Sequence, residues 1–196
     1  MPVDLSSLRL KRAAPIPYVF GGPVFPTTGG EALRVDRMGS RWQFAFATPA
    51  IGVASDEFDQ WSALIGRAER EGALCPVSKP GFVPGVTGAP VIAALTTSGR
   101  TLPVTGLPGG YTVRPGWWVS VIVSGRRYLD QIEIGATGAT VSLGMRNLIR
   151  TPYPANAVVE LGAPKIEGLL QVTAQPEWNT DAGLATMFEF TITEAK

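Results

Sequence analysis

The sequence contains no histidine. That removes at once the commonest general base, the commonest metal ligand and every Ser–His or Cys–His nucleophile pair. Cysteine occurs once, at Cys75, so neither an internal disulfide nor a cysteine cluster can form. Charged residues make up only 17% of the chain, below the usual quarter, and nearly cancel at a net +1. Such a balance offers no basic footprint for nucleic acid and no acidic tail. No apolar run approaches the length of a membrane span, since Val119 to Val123 is only strand-sized. At the N-terminus, Lys11 and Arg12 follow the weakly apolar part rather than precede it, unlike a signal peptide. The expectation is a soluble, non-catalytic protein made inside the cell, with no cofactor, no metal and no membrane partner.

What the chain does have is apolar residues, 45% of the total, together with 23 glycines and 17 prolines. A chain of 196 residues can bury one good core or two small ones. A surface so poor in charge suits a protein partly covered by neighbours, although a Gly- and Ala-rich monomer has the same composition.

Residues 1–32 are rich in turn formers, including Pro15, Pro17, Pro23, Pro26, Gly21, Gly22, Gly29 and Gly30. This N-terminal arm is either disordered or laid on a neighbouring subunit; Tyr18, Phe20 and Phe25 make it more apolar than disorder favours. Two strands are expected at 33–36 and 42–47, joined by the turn at Met38, Gly39 and Ser40. In the second, Trp42, Phe44 and Phe46 alternate and so share one face, as core residues of a sheet do.

One helix is expected from Asp56 to Glu71. Ser55 is a good N-cap, Asp56 and Glu57 place negative charge on the first turn, and Gly72 is positioned to stop it. Phe58, Trp61, Leu64, Ile65 and Ala68 form one apolar stripe, so the helix should lie on a sheet.

Residues 76–90 then hold four prolines and three glycines and read as an excursion. Short strands follow at 91–97, 100–105, 118–124, 127–134, 139–143 and 157–161, a spacing typical of a small antiparallel β-barrel. The clearest hairpin joins 118–124 to 127–134, with Gly125 supplying the turn. Strands at 166–175 and 185–193, linked by a loop around Asn179, Thr180 and Asp181, share the texture of 33–47. The economical arrangement has three parts. Residues 1–32 are the arm, 33–75 with 164–196 form a β-sandwich flanked by the helix, and 76–163 form an inserted β-barrel. The fold class is mostly β.

Motifs with chemistry are scarce. The glycines at 106, 109 and 110 lack the Lys-Ser/Thr and helix of a phosphate loop and read as a turn. Asp56, Glu57 and Asp59 are explained by helix capping rather than by acid–base or metal chemistry. Asp130 and Glu133 lie three apart on a strand and point to opposite faces, so they are not a catalytic pair. Arg126 and Arg127 fit a solvated turn, with contact to a neighbour as the minor reading. Trp117 and Trp118 should point to opposite faces, one into the core and one outward. The outward ring, with Tyr128, forms the candidate contact surface: Trp117, Trp118 and Tyr128. Contact with another subunit is favoured over sugar stacking, because no accompanying polar side chains are identifiable.

Between Leu102 and Leu161 the order of motifs resembles that of tail proteins from long-tailed, siphovirus-like phages. A strand ends in Gly106, Leu107 and Pro108, and Arg114, Pro115 and Gly116 form the next turn. The segment Tyr128 to Ile134 follows, then Gly138, Ala139, Thr140 and Val141 leading to Leu148, Ile149 and Arg150, and finally Val158 to Pro164. Trp42 to Phe46 with helix 56–71, and Leu184 to Ala195, are similar to the front and closing parts of the same proteins. The chain departs at Trp117, where the family often has Asp after the glycine, which leaves the hydrogen bonding of that turn open.

The resemblance, to distal tail proteins of the tail-tip ring, implies a homohexameric ring at the end of the tail tube. Its belt domain would be tail-tube-like and its inserted domain would project outward. Its partners would be itself, the tail tube protein, the tail hub and tape-measure proteins, and peripheral fibres. DNA would be only non-specific cargo through the channel. The expected location is the virion tail tip, with host cytoplasm during assembly. The alternatives are a tube or head–tail connector subunit, or a carbohydrate-binding module on the tip.

Overall fold

The structure, a computed structural model, describes residues 1–27, 29–77, 79–174 and 185–195. The loop expected around Asn179 to Asp181 lies outside the described residues. The chain divides into two compact units, one of residues 1–16, 43–82 and 165–195, the other of 17–42 and 83–164. The fold is mostly β, with one helix and several sheets.

The first unit is organised by a six-stranded sheet. Its order is Val3–Asp4, Ala73–Pro76, Lys165–Ala174, Glu189–Glu194, Arg41–Ala47 and Arg12–Tyr18. Val3–Asp4 runs parallel to Ala73–Pro76, and the next three ladders are antiparallel. Phe44, Phe46, Phe190 and Ile192 alternate with less buried neighbours along their strands and are themselves buried. That is the period-two pattern of a half-buried sheet, and Phe46 packs on Phe190 with ring centroids 5.5 Å apart.

The helix spans Asp56–Glu71, as its signals predict. The Ser55 hydroxyl accepts a hydrogen bond from the Phe58 amide at 3.2 Å, and the Gly72 amide closes the last turn on the Ala68 carbonyl at 2.8 Å. Gly72 has φ of 88°, which an L side chain would adopt only with strain. Phe58, Trp61, Ile65 and Ala68 are buried.

The strand expected at 185–193 is interrupted. Ala185–Thr186 pairs with Ile51–Gly52, and Glu189–Glu194 joins the main sheet. Between them, the buried Thr48 ties the bend. Its hydroxyl accepts from the Phe188 amide at 3.0 Å, and its own amide donates to the Phe188 carbonyl at 3.0 Å. A threonine at the end of an aromatic strand carries no signal for that role. Cys75 is buried here, and burial pushes its thiol up to about 12, so it packs as a small apolar side chain.

The arm expected over 1–32 is divided. Val3, Leu5 and Leu8 are buried in the first unit, because a short parallel ladder to Ala73–Leu74 draws the apolar side chains in. Residues 17–42 belong to the second unit. Of the two strands expected at 33–36 and 42–47, the first, Leu33–Val35, forms a ribbon with Gly22–Val24, and the second joins the main sheet. Gly21 permits this turn, since a Cβ there would stand 2.3 Å from the Val35 carbonyl oxygen.

The second unit is built on a sheet of order Val159–Glu160, Trp118–Val123, Arg126–Ile134, Thr140–Met145, Thr101–Thr105 and Val91–Ile92. The Trp118–Val123 and Arg126–Ile134 hairpin turns through Ser124 and Gly125, both at positive φ, as a two-residue turn of this hand requires. Ile92, Leu102, Val104, Val119, Val121, Ile132 and Leu143 are among the residues of one continuous core. Among the described residues no closed barrel is detected. The edge strands are two residues each, and their segments meet through a bridge of Val91 with Val158 and backbone hydrogen bonds from Ile92 to Ala157, from Asn156 to Ile92 and from Val159 to Pro90, at 2.9–3.0 Å. The Arg114 to Trp117 turn is intact despite its tryptophan. Gly116 has φ of 84°, and the Trp117 amide donates to the Arg114 carbonyl at 3.3 Å.

Candidate functional site: an exposed apolar ribbon in the second unit

The three side chains singled out from the sequence are half-buried, and each is covered by its own unit. Trp117 packs against the core and meets Tyr111 at 6.3 Å between ring centroids. Trp118 meets Trp42 edge to face, with ring centroids 4.6 Å apart, so both indoles of the pair have a partner in the unit. Tyr128 also packs on the core, with Tyr153 at 6.0 Å and the Arg150 guanidinium 5.6 Å from its ring centre. These residues do not form one open surface. Trp42, which the alternation assigned to a sheet core, covers part of Trp118.

Trp42 is held by a polar anchor that the sequence did not reveal. Its indole N–H donates to Asp130 Oδ1 at 3.0 Å. The same carboxylate accepts from the amides of Gln131 at 2.8 Å and Asn147 at 3.0 Å, and from Asn147 Nδ2 at 2.9 Å. Burial raises the pKa of Asp130, and these donors only partly offset that. An acid so fully occupied with structural donors is a clamp on Trp42 and on the 146–147 turn. Arg127 is likewise no solvated turn residue. Its Nε lies 3.1 Å from Glu160 Oε2, which also accepts from the Ser120 hydroxyl at 2.5 Å, tying three adjacent strands together.

The surface left uncovered lies earlier in the chain. In the ribbon of Gly22–Val24 with Leu33–Val35, five of six residues are exposed and the sixth is half-buried. Phe25 is 73% exposed and Leu33 is 66% exposed, and Tyr18, Val19, Phe20, Val24 and Met38 are exposed beside them in sequence. Among the described residues of this stretch, Phe25 and Leu33 are the most exposed large apolar side chains, and a two-stranded ribbon is marginal without further packing.

The ribbon's root, by contrast, is fixed. Tyr18 and Phe20 pack edge to face at 5.1 Å, the Arg41 guanidinium lies 5.3 Å and 5.6 Å from their ring centres, and the Phe20 amide donates to the Ser40 hydroxyl at 3.2 Å. A fixed root thus carries a strongly exposed apolar tip at Phe25 and Leu33. The sequence carried part of this signal in Tyr18, Phe20 and Phe25, three aromatics in a segment otherwise made for turns.

No protein-family model matches the sequence, and no curated protein matches it.

Proposed function

We propose that this chain is a structural virion protein of a long-tailed phage, a distal tail component. In this reading, copies close into a homohexameric ring that joins the tail tube to the tip and surrounds the DNA passage. The observation that carries it is the uncovered apolar ribbon at 22–35, whose occupant is a neighbouring copy of the same chain. Each copy offers one such ribbon, and a contact that uses different surfaces on its two sides generates rings when the rotation closes. The order of motifs from Leu102 to Leu161, similar to that of phage tail proteins, supports the placement in a tail. Partners then follow from position: tube on one side, hub and tape-measure proteins on the other.

Sedimentation velocity of the purified protein tests the self-association. The wild-type chain is expected to sediment as a closed oligomer in the micromolar range. Replacing Phe25 and Leu33 together by serine removes two large apolar side chains from each contact. Burying each is worth about 1.5–3 kcal/mol, so the dissociation constant should rise by about a hundredfold or more. The monomer should remain folded, since both side chains are exposed within it. A wild-type chain that stays monomeric at these concentrations, or an oligomer indifferent to the double substitution, would remove the basis of the proposal.

A further inference from the structure

The second unit contains a polar cavity of about 480 Å³ whose lining shares Arg34 with the ribbon. Four guanidinium groups line it, from Arg34, Arg37, Arg100 and Arg146, against the two carboxylates of Asp36 and Glu133. In a chain of net charge +1, this is a local concentration of positive charge.

The two half-buried arginines are held in place. Arg146 lies 5.0 Å over the Trp42 ring and donates from Nη1 to Gln131 Oε1 at 3.4 Å, while its amide donates to the Gln131 carbonyl at 2.9 Å. Arg100 donates from Nη2 to Asp36 Oδ2, and its carbonyl accepts from the Met145 amide at 2.7 Å. Asp36 also takes Arg34 at 3.1 Å, so one carboxylate serves two guanidiniums. Arg37 has no carboxylate partner among the described residues.

We infer that this cavity binds a phosphate-type dianion. Each guanidinium carries five N–H donors, and the contacts above occupy only some of them. A planar carboxylate is satisfied by a single fork. A tetrahedral dianion accepts from several guanidiniums arriving from different directions, and here they come from separate segments of the chain. The cavity volume falls in the range of small-molecule sites. Glu133, an exposed acid in the lining with no ion-pair partner among the described residues, opposes the anion and tunes its affinity downward.

Titration calorimetry with inorganic phosphate at constant ionic strength tests the inference. The wild-type protein should show saturable binding at one site per chain. Arg37→Gln, at an exposed position, and Arg146→Gln should each weaken binding by about tenfold or more. Glu133→Gln should tighten it, an effect that a damaged fold does not produce. Phosphoserine binding as tightly as phosphate would identify a phosphomonoester as the source, and weaker binding would identify the free ion. Equal binding of acetate, or phosphate uptake unchanged by all three substitutions, would overturn the proposal.

Discussion

Gly168→Ala should destabilise the first unit by about 3 kcal/mol or more, the largest effect expected of any single methyl group in the chain. Gly168 sits on Lys165–Ala174, which is hydrogen-bonded on both sides, to Ala73 and to Glu194. A Cβ at this position would stand 2.0 Å from the Thr193 carbonyl oxygen and 2.8 Å from the Glu194 Cα. Both are backbone atoms in a paired strand, so no rotamer change can make room. The strands must separate, and the ladder between Lys165–Ala174 and Glu189–Glu194 is lost. Gly66→Ala is the control. Gly66 lies on the helix with nothing within 4 Å of an added Cβ, so the same chemical change there should stabilise by about 0.5–1 kcal/mol. Urea unfolding of the two variants beside the parent measures both. Similar effects at the two positions would mean that the close approach at Gly168 is not what restricts it.

Asp130→Ala should cost about 3 kcal/mol in the second unit. The alanine leaves the Trp42 indole N–H and the Asn147 donors in a buried site without an acceptor, and each such orphan costs about 1–3 kcal/mol. The pH dependence has a definite sign. Burial raises the folded pKa of Asp130 above its ordinary value of 3.8. Between the two pKa values the folded state holds the proton and the unfolded state has released it, so stability falls as pH rises. That component should be fully present below 3.8 and gone once pH exceeds the folded pKa. Asp130→Asn cannot titrate and should lose it, although its NH2 group, set among N–H donors, still costs stability at neutral pH. Unfolding free energies of parent and Asp130→Asn across the acid range give the comparison. A parent whose stability rises with pH more steeply than the variant's would mean that the four donors outweigh burial.

The elements most legible in the sequence were those where independent signals coincide. At 55–72 a cap, an apolar stripe, first-turn acids and a stop glycine all specify one helix, and the helix is there. The 118–134 hairpin was legible for the same reason, with alternation and turn chemistry agreeing. Strand partners were less legible. Leu33–Val35 is three residues long, and alternation over so short a run does not say which neighbour it will pair with. Whether the expected barrel closes was not legible, because strand spacing shows that strands exist but not how two-residue edge strands meet. The cover on the candidate surface was hidden for a related reason. Whether Trp118 faces solvent depends on Trp42, more than seventy residues away in sequence, and no local pattern reports that contact. Asp130 was read as an isolated strand acid because its four donors come from three separate segments.

Immunogold labelling of intact phage particles with antibody against this chain tests its place in the tail most directly. The account predicts label confined to the distal tip of the tail, where tube meets tip. Label at the neck, label along the length of the tube, or particles that lack the protein altogether would contradict it.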